Sequence, residues 1–188
     1  MAIAAYIPTC AKNVPGNRYQ IYLTEIANIT SITETSNEAS AVTMTGGTAT
    51  FKRVNASIDS VQYTSEGTYT TKGGETQNLI FKLWARSTEL EVLKASLVDG
   101  VACGLAVIWV DNNGRAWLMG ANAAAKDGIT RPITQMASSF DSGLLITDDA
   151  GLYTITLTKL GAYAPIEFDS ALTAKIITTT DAAFIAWT

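Results

Sequence analysis

The chain contains no histidine. That absence removes every mechanism that needs an imidazole, including Ser-His-Asp and Cys-His nucleophilic catalysis, and most zinc sites with it. Cysteine is nearly as scarce. Cys10 and Cys103 stand far apart and form no Cys-x-x-Cys pair, so neither a metal knuckle nor a redox motif is present. The two thiols read as small apolar residues in a reducing compartment, with a single disulfide between them left open. Charge is thin as well. Only 16% of the 188 residues are charged, and 13 basic against 17 acidic residues give a net charge of -4, which argues against a broad basic footprint for nucleic acid or an anionic membrane. No apolar run is long. Val101 to Val110 is about half of the ~20 residues a membrane helix needs. The amino end, Met1-Ala-Ile-Ala-Ala-Tyr-Ile-Pro8, has no basic stretch and meets proline too early for a signal-peptide core. A product made and kept in a cytoplasm is expected.

Motifs that carry chemistry are also missing. The chain has no Gly-x-Gly-x-x-Gly, no phosphate-binding Gly-x-x-x-x-Gly-Lys-Ser/Thr and no Gly-x-Ser-x-Gly elbow. Asp111-Asn-Asn-Gly114 has the start of a calcium loop without its later ligands, and reads as a hairpin turn. Asp148 and Asp149 are adjacent carboxylates before Ala150-Gly151, a pattern of solvated turns more than of glycosidic chemistry. Asn28-Ile-Thr30 and Asn55-Ala-Ser57 fit the glycosylation pattern but carry no weight without a secretion signal. Of the four tryptophans, Trp84 and Trp109 end apolar strands and are expected in the core, whereas Trp117 beyond the turn is the one expected to be exposed, with sugar stacking as its functional alternative. No catalytic, cofactor-binding or metal-ligating residue is assigned.

What the chain does have is threonine, about one residue in seven, placed where alternation is clearest. In Leu152–Lys159, Tyr153, Ile155 and Leu157 take one face and Thr154, Thr156 and Thr158 the other. Arg18–Thr24 and Thr76–Trp84 read as strands by the same test, the second with Leu79, Phe81 and Leu83 inward. Ala41–Thr45 and Thr48–Val54 flank Gly46-Gly47 and are expected to pair as a hairpin. Asn55–Thr71 reads as a curved or edge strand, and Lys72–Glu75 as a turn. Val101–Val110 and Arg115–Met119 are expected to form a second hairpin, with Asn113-Gly114 supplying a type I′ turn.

One segment has a helical period. In Ser87–Val98, Leu90, Leu93 and Leu97 share a face, Thr88 with Glu91 has capping-box spacing, and Gly100 follows as a stop. The expected fold is therefore all-β, a mainly antiparallel sandwich or barrel, with one short amphipathic helix packed on the sheets. Residues 18–160 form that domain, with its helix near 88–98. Residues 1–17 are an N-terminal arm, and 161–188 are a C-terminal strand or assembly arm. Both ends carry large apolar side chains: Ile3, Tyr6 and Ile7 at one, and Phe184, Ile185 and Trp187 at the other. Terminal tails usually fray and turn polar, so these six residues are candidate assembly contacts.

The order of hairpins, strand, single helix, hairpin and Thr-rich strand resembles the structural proteins of tailed-bacteriophage particles, especially the tail-tube family. Val107-Ile-Trp-Val-Asp-Asn-Asn-Gly-Arg-Ala-Trp-Leu-Met-Gly120 and Asp149-Ala-Gly-Leu-Tyr-Thr-Ile-Thr-Leu157 carry it, and it spans roughly residues 18 to 160. The resemblance implies a non-enzymatic virion protein, made in the host bacterial cytoplasm, that self-assembles into hexameric rings stacked head to tail. It also implies contacts with other virion proteins, genome DNA only as non-specific cargo in the lumen, no cofactor and no membrane. An acidic balance suits such a lumen, but Lys52 and Arg53 place basic charge in a candidate lining hairpin. A capsid decoration or head-tail connector protein, and a carbohydrate-binding β-sandwich module, are the alternatives.

Overall fold

The computed structural model describes residues 20–47, 49–57, 60–67, 74–84, 87–111, 113–122, 132–141, 152–161, 164–179 and 183–184. A bent hairpin starts the fold. β1 (Gln20–Glu25) and β2 (Ile29–Thr35) form one ribbon broken at Ile26–Asn28, and β3 (Glu38–Met44) and β4 (Phe51–Asn55) form its return, broken at Thr45–Gly47. β2 pairs with β3 and β1 with β4, both antiparallel. The tip is Ser36-Asn37, at φ of 57° and 68°, the left-handed geometry that suits the twist of a two-residue hairpin. The Gly46-Gly47 hairpin is thus corrected, because β3 and β4 do not pair with each other. Gly46 turns a corner instead, at φ 66°. The hydroxyl of Thr45 donates to the carbonyl of Ala27 at 3.1 Å and that of Thr24 to the carbonyl of Thr50 at 3.1 Å, tying the two corners together.

The chain continues through β5 (Gln62–Gly67), β6 (Glu75–Trp84), α1 (Thr88–Cys103), β7 (Leu105–Val110), β8 (Ala116–Met119), β9 (Gln135–Asp141), β10 (Leu152–Leu160), β11 (Ile166–Phe168), α2 (Ser170–Thr178) and β12 (Ala183–Phe184). One sheet has the order β12-β4-β1-β7-β8-β11-β3-β2 and the other β5-β6-β10-β9. The second is antiparallel throughout. The first is antiparallel except where β11 meets β3. The fold is mostly β, as expected, and the edge strand read over Asn55–Thr71 is present but shorter, as β5, with residues 56, 57, 60 and 61 outside any strand. The turn read at Lys72–Glu75 falls mainly outside the described residues.

Two cores explain why both sheets exist. Ile21, Leu23, Val107 and Trp109 on one face of the large sheet meet Leu79, Phe81, Leu83, Ile155 and Leu157 of the small sheet, with Leu90, Leu93, Leu97 and Val101 of α1 closing the side. Tyr22, Ile108 and Leu118 on the opposite face meet Val42, Phe51, Phe168, and Leu172 and Ile176 of α2. Because β4 and β3 stand near opposite ends of the strand order yet share this second core, the large sheet curls around it. β7 is buried at every position, the pattern of a strand covered on both faces.

α1 is longer than its sequence period suggested. Gly100 is buried within it, and the stop is Gly104, at φ 90° with its N–H on the carbonyl of Val101. Val101–Cys103 therefore end the helix and do not begin the strand. The cap is also one residue earlier than expected: Ser87 Oγ accepts the N–H of Leu90 at 3.2 Å. The second helix, α2, is a further correction to the single-helix reading. Asp169 caps it by accepting the N–H of Leu172 at 2.7 Å, and only Leu172 and Ile176 are buried. Leu93 is fully buried against the first core, so Leu93→Ala should lower the free energy of unfolding by about 2–5 kcal/mol, as read by urea titration.

Tyr22 marks the centre of the second core. Its hydroxyl lies 3.0 Å from Gln20 Oε1 and 3.2 Å from the carbonyl of Ile176. Burial pushes it up to about 12, a rise that the charge and hydrogen bond of Arg53 oppose. The neutral phenol is therefore the stabilising form. Its contribution is complete below the unfolded tyrosine value near 10 and is lost as pH rises toward 12. Alkaline unfolding should be less steep over that interval in Tyr22→Phe, as read by circular dichroism against pH.

Candidate functional site

The small sheet presents an exposed, largely polar face. Its inward rows carry Leu79, Phe81, Leu83, Ile155 and Leu157 together with one buried polar pair, Lys159 donating to Gln77 Oε1 at 3.2 Å. By alternation the outward rows of β6 and β10 carry Thr76, Asn78, Ile80, Lys82 and Trp84 beside Thr154, Thr156, Thr158 and Leu160. Thr158 Oγ1 donates to Asn78 Oδ1 at 2.7 Å across the two strands. Gln62, Thr64 and Glu66 of β5 and Gln135, Ala137 and Ser139 of β9 extend the face to both sides. Glu66 and Lys82 are the charged members named on it. β5 and β9 end the strand order, so each presents an edge with no partner strand among the described residues. Neither contains proline or lysine, two of the devices that normally blunt an edge.

The β7–β8 turn is the second feature. It is a hairpin as expected, but a wider one than a two-residue type I′ turn, with Gly114 at φ 78°. The N–H of Asp111 donates to the carbonyl of Arg115 at 2.8 Å around a three-residue loop, the class that ends on a left-handed glycine. Asp111 organises it. One carboxylate oxygen accepts the N–H groups of Asn113 and Arg115 at 2.8 and 3.0 Å, and the other accepts the indole N–H of Trp117 at 3.1 Å. Burial acts to raise this carboxyl, but the three donors and the Arg115 charge outweigh it and hold it below the usual range. These are the contacts of a structural turn, with both Asp111 carboxylate oxygens engaged by its own chain. Asp111→Ala leaves three donors to find new acceptors and should cost about 1–3 kcal/mol, measurable as a fall in Tm and in Trp117 burial by fluorescence.

The tryptophans depart from expectation in two cases. Trp109 is in the core, stacked on Tyr63 with ring centroids 5.2 Å apart. Trp84, placed in the core by its sequence position, is 46% exposed, because the alternation that buries Leu79, Phe81 and Leu83 sends it to the opposite face. Trp117 is partly buried against the first core, its N–H already used, which weakens a sugar-stacking role. Arg53 is buried in β4, within the large sheet beside Tyr22.

Phe184 stands in β12, opposite Phe51 of β4, as Ala183 is opposite Lys52. Ile3, Tyr6, Ile7, Ile185 and Trp187, like Cys10, Asp148 and Asp149, lie outside the described residues. Cys103 is a free thiol, exposed in the last turn of α1. Further exposed apolar side chains, which periodicity had not singled out, are Val92 and Val98 on α1, Phe140 on β9 and Leu160 on β10. Among the described residues no group of three or more histidine, cysteine, aspartate or glutamate side chains is arranged to hold a metal ion, and no helix is long and apolar enough to cross a membrane. Comparison with protein-family models, curated proteins and solved structures finds no match in any of the three.

Proposed function

We propose that the protein is a virion structural subunit that self-assembles into rings, six-membered by resemblance to tail-tube proteins, stacked head to tail as a phage tail tube. The observation that carries this reading is the small antiparallel sheet with an edge strand, β5 or β9, at each side. An exposed edge is a row of unpaired N–H and C=O groups and a template for another chain. A subunit with two such edges on one sheet pairs β5 of one copy with β9 of the next, and the contact repeats until a ring closes. The outward face then becomes the lining, mostly Thr, Asn, Gln and Ser, with Lys82 its one basic side chain among the residues named and Trp84 and Leu160 at its ends, so a passing polyanion meets no basic trap.

Negative-stain imaging of the purified protein over rising concentration tests the proposal. Tubes of uniform diameter with a regular axial repeat are expected. A monomer at every concentration, or closed particles decorating nothing and stacking on nothing, would overturn it.

A further inference from the structure

A groove of about 610 Å³ opens between the β7–β8 turn and α2, bordered by Glu38, Arg115, Glu167, Phe168, Ala174 and Ile177. Its volume falls within the range of ligand-binding clefts, about 300–1,000 Å³. Phe168 and Ile177 give it an apolar wall, since both belong to or pack on the second core. Its rim is acidic. Glu167 lies directly opposite Glu38 where β11 runs parallel to β3, and like charges at such positions repel. Arg115 answers Glu167 alone, with Nη1 3.3 and 3.4 Å from its two oxygens. Glu38 is exposed, and its carboxylate has no hydrogen bond or ion pair among the described residues. The groove thus carries one uncompensated negative charge beside an apolar wall.

The chain itself holds a segment of the complementary kind. Residues 1–19 include Ile3, Tyr6, Ile7 and Val14, two basic side chains, Lys12 and Arg18, and no acidic one. The first acid in the sequence is Glu25. The segment also leaves the domain at the correct end. Gln20 opens β1, Ile21 is opposite Trp109, and two residues beyond Trp109, at Asp111, the chain enters the turn that borders the groove.

We propose that residues 1–18 of a neighbouring copy dock in this groove, their apolar side chains against Phe168 and Ile177 and Lys12 against Glu38. This inference rests on the reading of the chain as a self-assembling subunit, and it gives the N-terminal arm a receptor. Docking within one chain would satisfy the groove and propagate nothing, whereas docking between copies is a heterologous contact that repeats along a polymer.

Charge exchange in the full-length protein tests it. Glu38→Lys alone and Lys12→Glu alone each place like charges together and should raise the concentration needed for assembly about tenfold, as seen by light scattering. Mixing the two single variants should restore assembly, because each arm then meets a groove of opposite sign on the other copy. A Glu38→Lys variant that assembles like the wild type overturns the proposal. So does rescue in the double variant without rescue in the mixture, which would assign the groove to the arm of its own chain, and so does a Lys12→Glu variant with no effect, which would assign it to a different partner. A second readout uses the natural Cys10. In Cys103→Ser/Ala174→Cys protein, mild oxidation should give a ladder of cross-linked chains on a non-reducing gel, and a monomer band alone overturns the proposal. Tubes formed by Glu38→Lys would leave the tail-tube reading intact while refuting the groove. Ladders from particles that are not tubes would do the reverse.

Discussion

A Gly120→Ala variant should lose about 2–5 kcal/mol of stability and melt roughly 5–20 °C lower than the wild type. Two independent costs combine there. Gly120 follows β8 at φ 96°, a left-handed conformation that costs a residue with a Cβ about 1–2 kcal/mol. A Cβ at that position would also lie 2.4 Å from the carbonyl oxygen of Leu105 and 3.1 Å from the Cα of Ala106, and both obstacles are backbone that no rotamer change can clear. The backbone in question cannot easily yield either. Leu105 exchanges 3.0 and 2.9 Å hydrogen bonds with Ile133, and β7 is buried on both faces. Gly114→Ala is the internal control: its φ is 78° but nothing lies within 4 Å of the added carbon, so only the conformational cost of about 1–2 kcal/mol remains. Differential scanning calorimetry of the two variants separates the terms. Equal melting temperatures would show that the close approach at Gly120 contributes nothing.

The same junction shows where the sequence was legible and where it was not. β6 and β10 were readable because their period of two is unbroken: Leu79, Phe81, Leu83, Ile155 and Leu157 are each fully buried. β7 was harder, since a strand covered on both faces loses its alternation and merges with any apolar neighbour. Val101–Cys103 were therefore assigned to the strand, when the break lies at Gly104. A glycine at 100 and another at 104 are equal stop signals to a reader of sequence. Only the packing decides, since Gly100 is buried in the helix and Gly104 takes the positive φ. Local rules also chose the wrong hairpin tip. Gly46-Gly47 has the stronger turn composition, but Ser36-Asn37 adopts the left-handed pair, because the partner of β3 is set by the long bent ribbon and not by the nearest glycines.

α2 escaped notice for a different reason. Nine residues with two buried positions carry little periodicity, and three of its last five are β-branched, which pulls a propensity reading toward strand. Asp169 was the available signal, a cap residue whose carboxylate takes the N–H of Leu172. The groove beside α2 was illegible altogether. It depends on β11 lying parallel to β3, a pairing between residues more than a hundred positions apart, and nothing in the local pattern of either strand announces it.

The two ends of the chain should respond oppositely to removal. Deleting residues 1–18 leaves β1 intact from Gln20, so thermal stability should change by no more than a few degrees while assembly is lost. Deleting residues 182–188 removes β12, and with it the pairing of Ala183 with Lys52 and of Phe184 with Phe51. That uncovers one side of β4, whose Phe51 is 1% exposed and belongs to the second core. Fully burying a phenylalanine is worth about 1.5–3 kcal/mol relative to leaving it exposed, and a bare β4 would offer the large sheet a new edge. The C-terminal truncation should therefore melt distinctly lower and tend to aggregate without order. Size-exclusion chromatography, thermal melting and negative-stain imaging of both truncations distinguish the outcomes. An N-terminal truncation that still forms regular polymers would remove the arm from the assembly mechanism. A C-terminal truncation that melts like the wild type and forms regular polymers would show that β12 is needed by neither the fold nor the assembly.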